Sequence, residues 1–297
     1  MRKAKTHLVC GNGEVGRSLF NVLSKAYKNI KIKDLEPLEI KGDVGILNIC
    51  FPYTSQFDRA VKMYQMFYKP ELTIIHSTVP VGTSRRLNAV HSPIHGRHPN
   101  LERGILTFRK FVGAAPELDL EKAYRFLRKA KIKTERVSSP EASELSKIMC
   151  TTYLGVVAAY MKATMAICDE LDVPFREVYG WGFLYNEGYA ELGEHRFIRP
   201  VLEKEAGGIG GHCVIQNAIL LRELLTNVPE VMRLTDFVLG AGYRSKGPLH
   251  QDRTWLYCEF WGKKKSLEEI AQDCGKLPEE IEITLKNFNI PLQPYAK

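Results

Sequence analysis

The chain has 297 residues and a formal net charge of +8, with 44% hydrophobic and 26% charged residues. This composition is typical of folded globular proteins and excludes a disordered chain. The apolar run Leu8 to Cys10 is too short for a signal peptide or a membrane helix, and the seven cysteines lack the paired spacings of a disulfide framework. We therefore expect a cytoplasmic protein, whose positive charge attracts phosphorylated ligands or nucleic acid, or simply lies on solvated helix faces.

The first predicted element is a strand, Thr6 to Cys10, which leads directly into a glycine-rich turn and a helix. A strand, a G-x-G-x-x-G turn and a helix in succession form the dinucleotide-binding fingerprint. Its first glycine permits a tight turn, its second lets the backbone approach a pyrophosphate, and its third lets helix and strand pack closely. We therefore expect six residues to bind the cofactor: Gly11, Asn12, Gly13, Glu14, Val15 and Gly16.

A second predicted strand, 30–33, ends at Asp34. Its distance from the glycines suits a carboxylate that accepts hydrogen bonds from the adenosine ribose. A carboxylate there would repel a 2′-phosphate, so Asp34 favours NAD over NADP. The alternative interpretation is a glycine-rich turn in some other α/β protein.

Predicted strands and helices alternate as far as residue 137. The strands are 44–50, 72–76, a short one near Val90, 111–113 and 134–137, and the helices between them include 56–68 and 120–130. This alternation predicts an α/β fold of the Rossmann type, with a doubly wound, mainly parallel sheet. We expect residues 1–137 to form an NAD-binding domain.

A long spine helix is predicted between Ser138 and Pro174, with a capping-box spacing from Ser138 to Glu141. Its second half is apolar on nearly all faces, which indicates packing against other helices or a second subunit. Residues 138–247 are therefore expected to form an α-helical central domain. After the spine, the glycines at 207–211 precede Cys213 at a predicted helix start, where the thiol pKa would be lowered. A buried, inert thiol is the alternative for Cys213.

Five segments occur in the order found in the UDP-glucose/GDP-mannose dehydrogenase family, which the first 225 or so residues resemble. They are 11–16 with Asp34, 46–52, 77–83, 144–147 and 207–213. The resemblance implies an NAD-dependent enzyme that oxidises the primary alcohol of a nucleotide sugar. It also implies a homodimer formed through the spine helix.

The resemblance assigns roles to particular side chains. Cys213 matches the nucleophile that captures the aldehyde as a thiohemiacetal, Lys147 the lysine that stabilises oxyanions, and Thr78 the hydroxyl that holds the catalytic water. Pro52, Ser77 and Thr78 lie in segments expected to contact the cofactor.

Three positions depart from the family pattern. Asn217 stands where the family has an aspartate, Thr151 where it has an asparagine, and Asn100 where it has a glutamate. The family's C-terminal nucleotide-sugar domain has no counterpart. A two-electron oxidation that depends on Lys147 therefore competes with four-electron chemistry, and a catalytically degenerate NAD sensor or a DNA- or protein-binding regulator is a further alternative.

The expected substrate residues lie in three parts of the sequence: His95, Arg97, His98, Asn100, Thr151, Gly210 and His212. Arg97 would meet a phosphate or carboxylate of a nucleotide sugar or similar sugar. The nearby histidines would also allow a metal site, but no acidic partner or paired spacing supports one, and no metal is expected.

Residues 248–297 are predicted to form a small helical appendix that resembles a helix-turn-helix. Its presumed recognition helix carries Glu279, Glu280 and Glu282 against Lys286. Carboxylates disfavour contact with phosphates, so protein interaction or packing is the preferred role over DNA binding.

Overall fold

The computed structural model describes residues 5–36, 38–40, 42–96, 101–202, 213–241 and 248–292. The chain divides into two compact units, Met1–Lys147 and Ile148–Lys297. The finer division into domains ending at residues 137 and 247 stays a prediction. No helix in the described part of the chain is both long and apolar enough to cross a membrane.

The first unit is built around a five-stranded parallel sheet with the order β2-β1-β3-β4-β5. Its strands are β1 (Thr6–Cys10), β2 (Ile30–Lys33), β3 (Val44–Ile49), β4 (Leu72–Ile75) and β5 (Val90–His91). All residues of β3 and β4 are buried, as expected for central strands covered by helices on both faces. The predicted doubly wound α/β fold is therefore confirmed, and its strand order changes direction at β1 and β3, where ligands bind in such folds.

Before the long helix that begins at Pro140, the described residues of this unit also form five helices and a second small sheet. The helices are α1 (Glu14–Ser24), α2 (Phe57–Tyr68), α3 (Thr83–Arg86), α4 (Leu101–Thr107) and α5 (Leu120–Lys129). The parallel pair β6 (Lys110–Val112) and β7 (Thr134–Arg136) forms the second sheet. One antiparallel bridge, between His91 and Gly113, joins β5 to the segment that follows β6.

The predicted spine is a single helix, α6 (Pro140–Glu170). The prediction of Ser138 as its cap was wrong, because the Ser139 hydroxyl accepts the hydrogen bond from the Ala142 backbone N–H at 3.1 Å. An N-cap side chain binds the backbone N–H two or three residues after it, and Ala142 lies four residues after Ser138. Glu141 is instead engaged by the guanidinium of Arg85, with N–O distances of 2.5 and 3.0 Å.

The second unit is helical. Its α-helices are α7 (Phe175–Glu191), α8 (Val214–Leu224), α9 (Pro229–Gly240), α10 (Arg253–Tyr257), α11 (Leu267–Cys274) and α12 (Pro278–Asn287). A π-helical turn, Cys258–Gly262, continues α10. Gly155 of α6 allows close packing here, because a Cβ at this position would lie 2.7 Å from methyl groups of both Val214 and Val238.

Local capping residues set both ends of α11. Ser266 and Glu269 form a reciprocal capping box, and Gly275 ends α11 in the left-handed conformation at φ 63°. The buried face of α12 contributes Ile281 and Leu285 to the core of the second unit. The likeness of this segment to a helix-turn-helix stays a prediction.

Candidate functional site

The glycine turn lies where β1 ends and α1 begins, at the carboxyl edge of the sheet. Gly11 has φ +102°, and a Cβ on it would lie 2.9 Å from the Phe51 backbone nitrogen. A Cβ on Gly16 would lie 1.8 Å from the carbonyl oxygen of Gly11. Backbone conformation and packing within the protein therefore require glycine at both positions.

Gly13 differs from its two neighbours in the motif. Its φ of −72° is available to any residue, and a Cβ on it would meet no atom within 4 Å. It is exposed at the N-terminus of α1, where the first helical N–H groups lack intrahelical acceptors. Neither backbone strain nor packing requires glycine there, and the open space beside the N-terminus of α1 fits an approaching phosphate. These residues therefore fit a dinucleotide.

The other predicted cofactor residues lie on neighbouring loops of the same edge. Exposed Asp34 follows β2, and exposed Pro52 follows β3. Ser77, after β4, donates from Oγ to the carbonyl oxygen of Phe51 at 2.6 Å and so joins the loops that follow β3 and β4. Thr78 is half-buried beside it.

The segment 77–84 is held onto the start of α6 by a buried carboxylate. Glu144 accepts hydrogen bonds from the backbone N–H groups of Gly82 at 2.6 Å and Ser84 at 2.7 Å. Burial raises the pKa of Glu144, while these donors act in the opposite direction. The sequence singled out Glu144 only as part of a family motif, and its role as a tether could not be read from it.

His91 makes a second connection between the same two segments. Its Nε2 lies 3.1 Å from the carbonyl oxygen of Ser77, and its Nδ1 lies 2.9 Å from Ser143 Oγ. Burial lowers the pKa of His91 to about 3, with smaller contributions from Lys110 and Lys147. The imidazole is therefore neutral near pH 7.

Lys147 lies half-buried on α6, and its charge contributes, after burial, to the lowered pKa of His91. Its charge also contributes, after burial, to the lowered pKa of His95, which falls to about 4. His95 lines a shallow cleft together with Ile94, Gly104, Phe108 and Lys110. The structure thus brings the predicted lysine and one predicted substrate histidine into the same electrostatic environment.

A buried polar network behind this cleft carried no sequence signal. Lys110 Nζ contacts His76 Nδ1 at 2.9 Å and Ser92 Oγ at 2.9 Å, and His76 Nε2 contacts Asn48 Oδ1 at 2.9 Å. Asn48 Nδ2 donates to the carbonyl oxygen of Leu8, so Asn48 Oδ1 is an acceptor for His76 Nε2. His76 Nδ1 also lies 2.8 Å from the carbonyl oxygen of Ser92. Burial lowers the pKa of both His76 and Lys110 well below their usual values.

The predicted nucleophile lies in the second unit. Cys213 is exposed and is the residue immediately before α8, as predicted. Asn217, one turn later, is only 3% exposed, and its Nδ2 has no hydrogen-bond partner in the described part of the chain. A buried amide donor without a partner is unusual and is found at sites that receive a ligand or water. Thr151 is buried on α6.

Several predicted site residues lie outside the described residues: Arg97, His98, Asn100, Gly210 and His212. Within the described ranges, no group of three or more histidine, cysteine, aspartate or glutamate side chains could hold a metal ion.

The fold and the glycine turn define a Rossmann-type α/β protein, and comparison with solved structures agrees. The chain is similar to a UDP-D-ManNAc dehydrogenase from Pyrococcus horikoshii, with a TM-score of 0.64, 13% identity, and coverage of 96% of this chain and 81% of that one. It is also similar to a 3-hydroxyisobutyrate dehydrogenase from Mycobacterium tuberculosis, with a TM-score of 0.57, 13% identity, and coverage of 94% and 99%.

A third similar structure is an NDP-N-acetyl-D-galactosaminuronic acid dehydrogenase from Methanosarcina mazei, with a TM-score of 0.58, 15% identity, and coverage of 79% of this chain and 66% of that one. No protein-family model matches the sequence, and no curated protein does either. At these identities the likeness shows a fold shared with dehydrogenases of nucleotide-sugar and hydroxyacid type.

Proposed function

We propose that this protein is an NAD-dependent oxidoreductase that oxidises a CH–OH group of a nucleotide sugar or a similar phosphorylated or carboxylated sugar. The observation that carries the proposal is the open space at Gly13, between two glycines that the fold itself requires. A phosphate is the group that would bind best in that space, because the N-terminus of α1 offers it N–H donors and a favourable dipole.

Asp34 supports NAD as the cofactor. It is exposed at the end of β2, where a ribose would lie beyond a pyrophosphate held by α1. Its carboxylate can accept hydrogen bonds from two ribose hydroxyls and would repel a 2′-phosphate. Bound NAD supplies the acceptor for a hydride, while the chain's own residues hold and deprotonate the alcohol.

Lys147 is the residue we assign to the substrate oxygen. Oxidation of an alcohol to an aldehyde or ketone removes a hydride from carbon and a proton from oxygen, so a group must hold that oxygen as its proton leaves. Lys147 supplies an amine on a rigid helix, and the hydroxyl of Thr78 lies on the segment tethered to that helix by Glu144. In this two-electron route the hydride would pass to NAD, and the alcohol proton would pass to the amine of Lys147, which has to be neutral to accept it.

Cys213 is the residue we assign to a second oxidation. Its exposed thiol, directly before α8, can add to an aldehyde, and loss of a second hydride from the thiohemiacetal would leave a thioester for water to hydrolyse. Asn217 can donate a hydrogen bond to an oxygen but cannot take a proton from water. One-step and two-step oxidation therefore differ in their need for Cys213.

The test is the number of NADH molecules formed per substrate consumed. Purified protein is incubated with NAD and a panel of UDP-sugars, GDP-sugars and simple hydroxyacids, beside the variants Cys213→Ala and Lys147→Met. Two NADH per sugar in the wild type, reduced to one or none in Cys213→Ala, would establish four-electron chemistry. One NADH per sugar in both the wild type and Cys213→Ala would establish the lysine-dependent route. Full activity in Lys147→Met would contradict the assignment of the site. No turnover despite NADH binding would favour the non-catalytic sensor.

We also propose that the protein is a homodimer through α6 and α7. No residue of α7 is buried, and its exposed side chains include Trp181, Phe183 and Leu184. Tyr153 and Tyr160 on α6 are exposed as well. Exposed aromatic and apolar side chains on two consecutive helices favour an interaction site there.

A further inference from the structure

Two separate tethers hold the segment 77–84 to the first turns of α6. Glu144 binds the end of the segment through the N–H groups of Gly82 and Ser84, and His91 binds its beginning through Ser77. His91 in turn contacts Ser143, the residue next to Glu144. His91, Ser143 and Glu144 are each 0% exposed, so none of these contacts competes with solvent.

The hydrogen-bond partners determine the protonation of His91. The carbonyl oxygen of Ser77 can only accept, so Nε2 carries the proton and donates. Nδ1 is then an acceptor, and the hydroxyl of Ser143 donates a hydrogen bond to it. One neutral tautomer therefore satisfies both partners, which lie 66 residues apart in the chain.

The two residues that His91 connects, Ser77 and Ser143, lie next to residues of the proposed site. Ser77 is also fixed through Oγ to the loop after β3, and Thr78 follows it. Ser143 and Lys147 are four residues apart on α6, so they share one face of the helix about 6 Å apart along its axis.

We propose that His91 is a positioning residue: with Ser143 and Glu144 it locks the segment 77–84 onto α6 and thereby sets the distance from Thr78 and the cofactor loops to Lys147. The clamp itself is a property of the fold, while its catalytic consequence rests on the proposed function. Loss of the clamp moves the cofactor loop and the lysine independently, which weakens the chemical step more than it weakens substrate binding.

The test uses Ser143→Ala, His91→Gln and the double variant in the full chain. His91→Gln keeps an amide donor for Ser77, but its amide oxygen lacks the fixed position that the imidazole ring gives to Nδ1, so the hydrogen bond from Ser143 is weakened. Thr73→Val is the matched control, because Thr73 is a buried hydroxyl of the same sheet whose partner, Gln65, lies on α2 rather than on the clamp. Hydrogen exchange of peptides that span residues 77–86 is measured first, since it needs no activity.

Exchange in that segment is expected to rise roughly fivefold or more in each single variant and no further in the double variant, because both remove one shared contact. The control is expected to leave it unchanged. NADH affinity is expected to fall by roughly fivefold, and kcat by about tenfold or more with little change in the KM of the sugar.

Unchanged hydrogen exchange of residues 77–86 in the variants would contradict the clamp, whatever their activity. So would fully additive effects of Ser143→Ala and His91→Gln on that exchange. Faster exchange with unaltered NADH affinity and kcat would overturn the positioning role and leave a structural contact. If the wild-type protein bound no dinucleotide, the proposed function and the positioning role would both fail, while exchange would still decide whether the clamp exists.

Discussion

A Cβ on Gly16 would lie 1.8 Å from the carbonyl oxygen of Gly11, well inside any possible contact between the two. The third glycine of the motif is therefore required by the packing of α1 against the turn after β1. The middle glycine, Gly13, has no such requirement. The motif thus contains two positions at which the packing requires glycine and one, at the start of α1, at which it does not.

This difference predicts opposite outcomes for two substitutions. Gly13→Ser supplies a preferred helix N-cap in an extended backbone conformation, so the free energy of unfolding is expected to stay within about 1 kcal/mol of wild type, while NADH binding is lost. Gly16→Ala is expected to cost roughly 3 kcal/mol or more, because the new methyl group meets backbone that cannot move aside. Chemical denaturation and NADH fluorescence titration measure both quantities. Undiminished NADH binding by Gly13→Ser would contradict a pyrophosphate at this position.

Local signals made much of this molecule predictable. The glycine spacing, the alternation of strands and helices, and the Ser266–Glu269 capping box each depend on residues within a few positions of one another. The buried partners Lys110 and His76 are 34 residues apart, and they meet only because β6 lies next to β5 while His76 directly follows β4. Such contacts depend on strand order and register. Neither this contact nor the one between His91 and Ser143 could therefore be predicted from a local sequence pattern.

The buried histidines predict how stability responds to acid. The folded-state pKa is about 4 for His7 and His95 and about 3 for His91, each lowered first by burial, against 6.5 for the ordinary group. Between these values the unfolded chain binds more protons than the folded one, so stability is full above about pH 6.5 and falls as the pH drops towards 3.

Each such group costs about 1.4 kcal/mol per pH unit within this window. Denaturation with guanidinium at about pH 7 and about pH 5 is the measurement, and His91→Gln is expected to have a shallower slope than wild type. A stability that rose on acidification would contradict burial of these imidazoles in neutral form.

A buried arginine in the second unit predicts a strong dependence on its partner. Arg222 is 1% exposed, and its Nη1 lies 2.5 Å from Asp236 Oδ1 and 3.1 Å from Thr235 Oγ1. Asp236→Asn leaves this cation without a carboxylate, and the expected loss is about 2–4 kcal/mol of unfolding free energy. Lys264, which also contacts Asp236 but is mostly exposed, provides the control: Lys264→Ala is expected to cost about 0.5 kcal/mol or less. Equal losses in the two variants would mean that burial of Arg222 does not govern the cost.

The exposed aromatic surface of the second unit predicts the oligomeric state. Trp181 on α7 is 63% exposed and Tyr160 on α6 is 62% exposed, although large aromatic side chains usually bury most of their area. A stable dimer covers roughly 800 Å² on each partner, which side chains of this size supply over a few helical turns.

We expect Trp181→Glu and Tyr160→Glu each to convert a dimer into a folded monomer, because a carboxylate in an apolar interface loses its hydration. Met66→Glu, at an equally exposed apolar position on α2, is expected to leave the dimer intact. Size-exclusion chromatography with light scattering gives the mass of each variant, and circular dichroism confirms that it is folded. A wild-type monomer, or dissociation by Met66→Glu alone, would show that α6 and α7 do not form the interface.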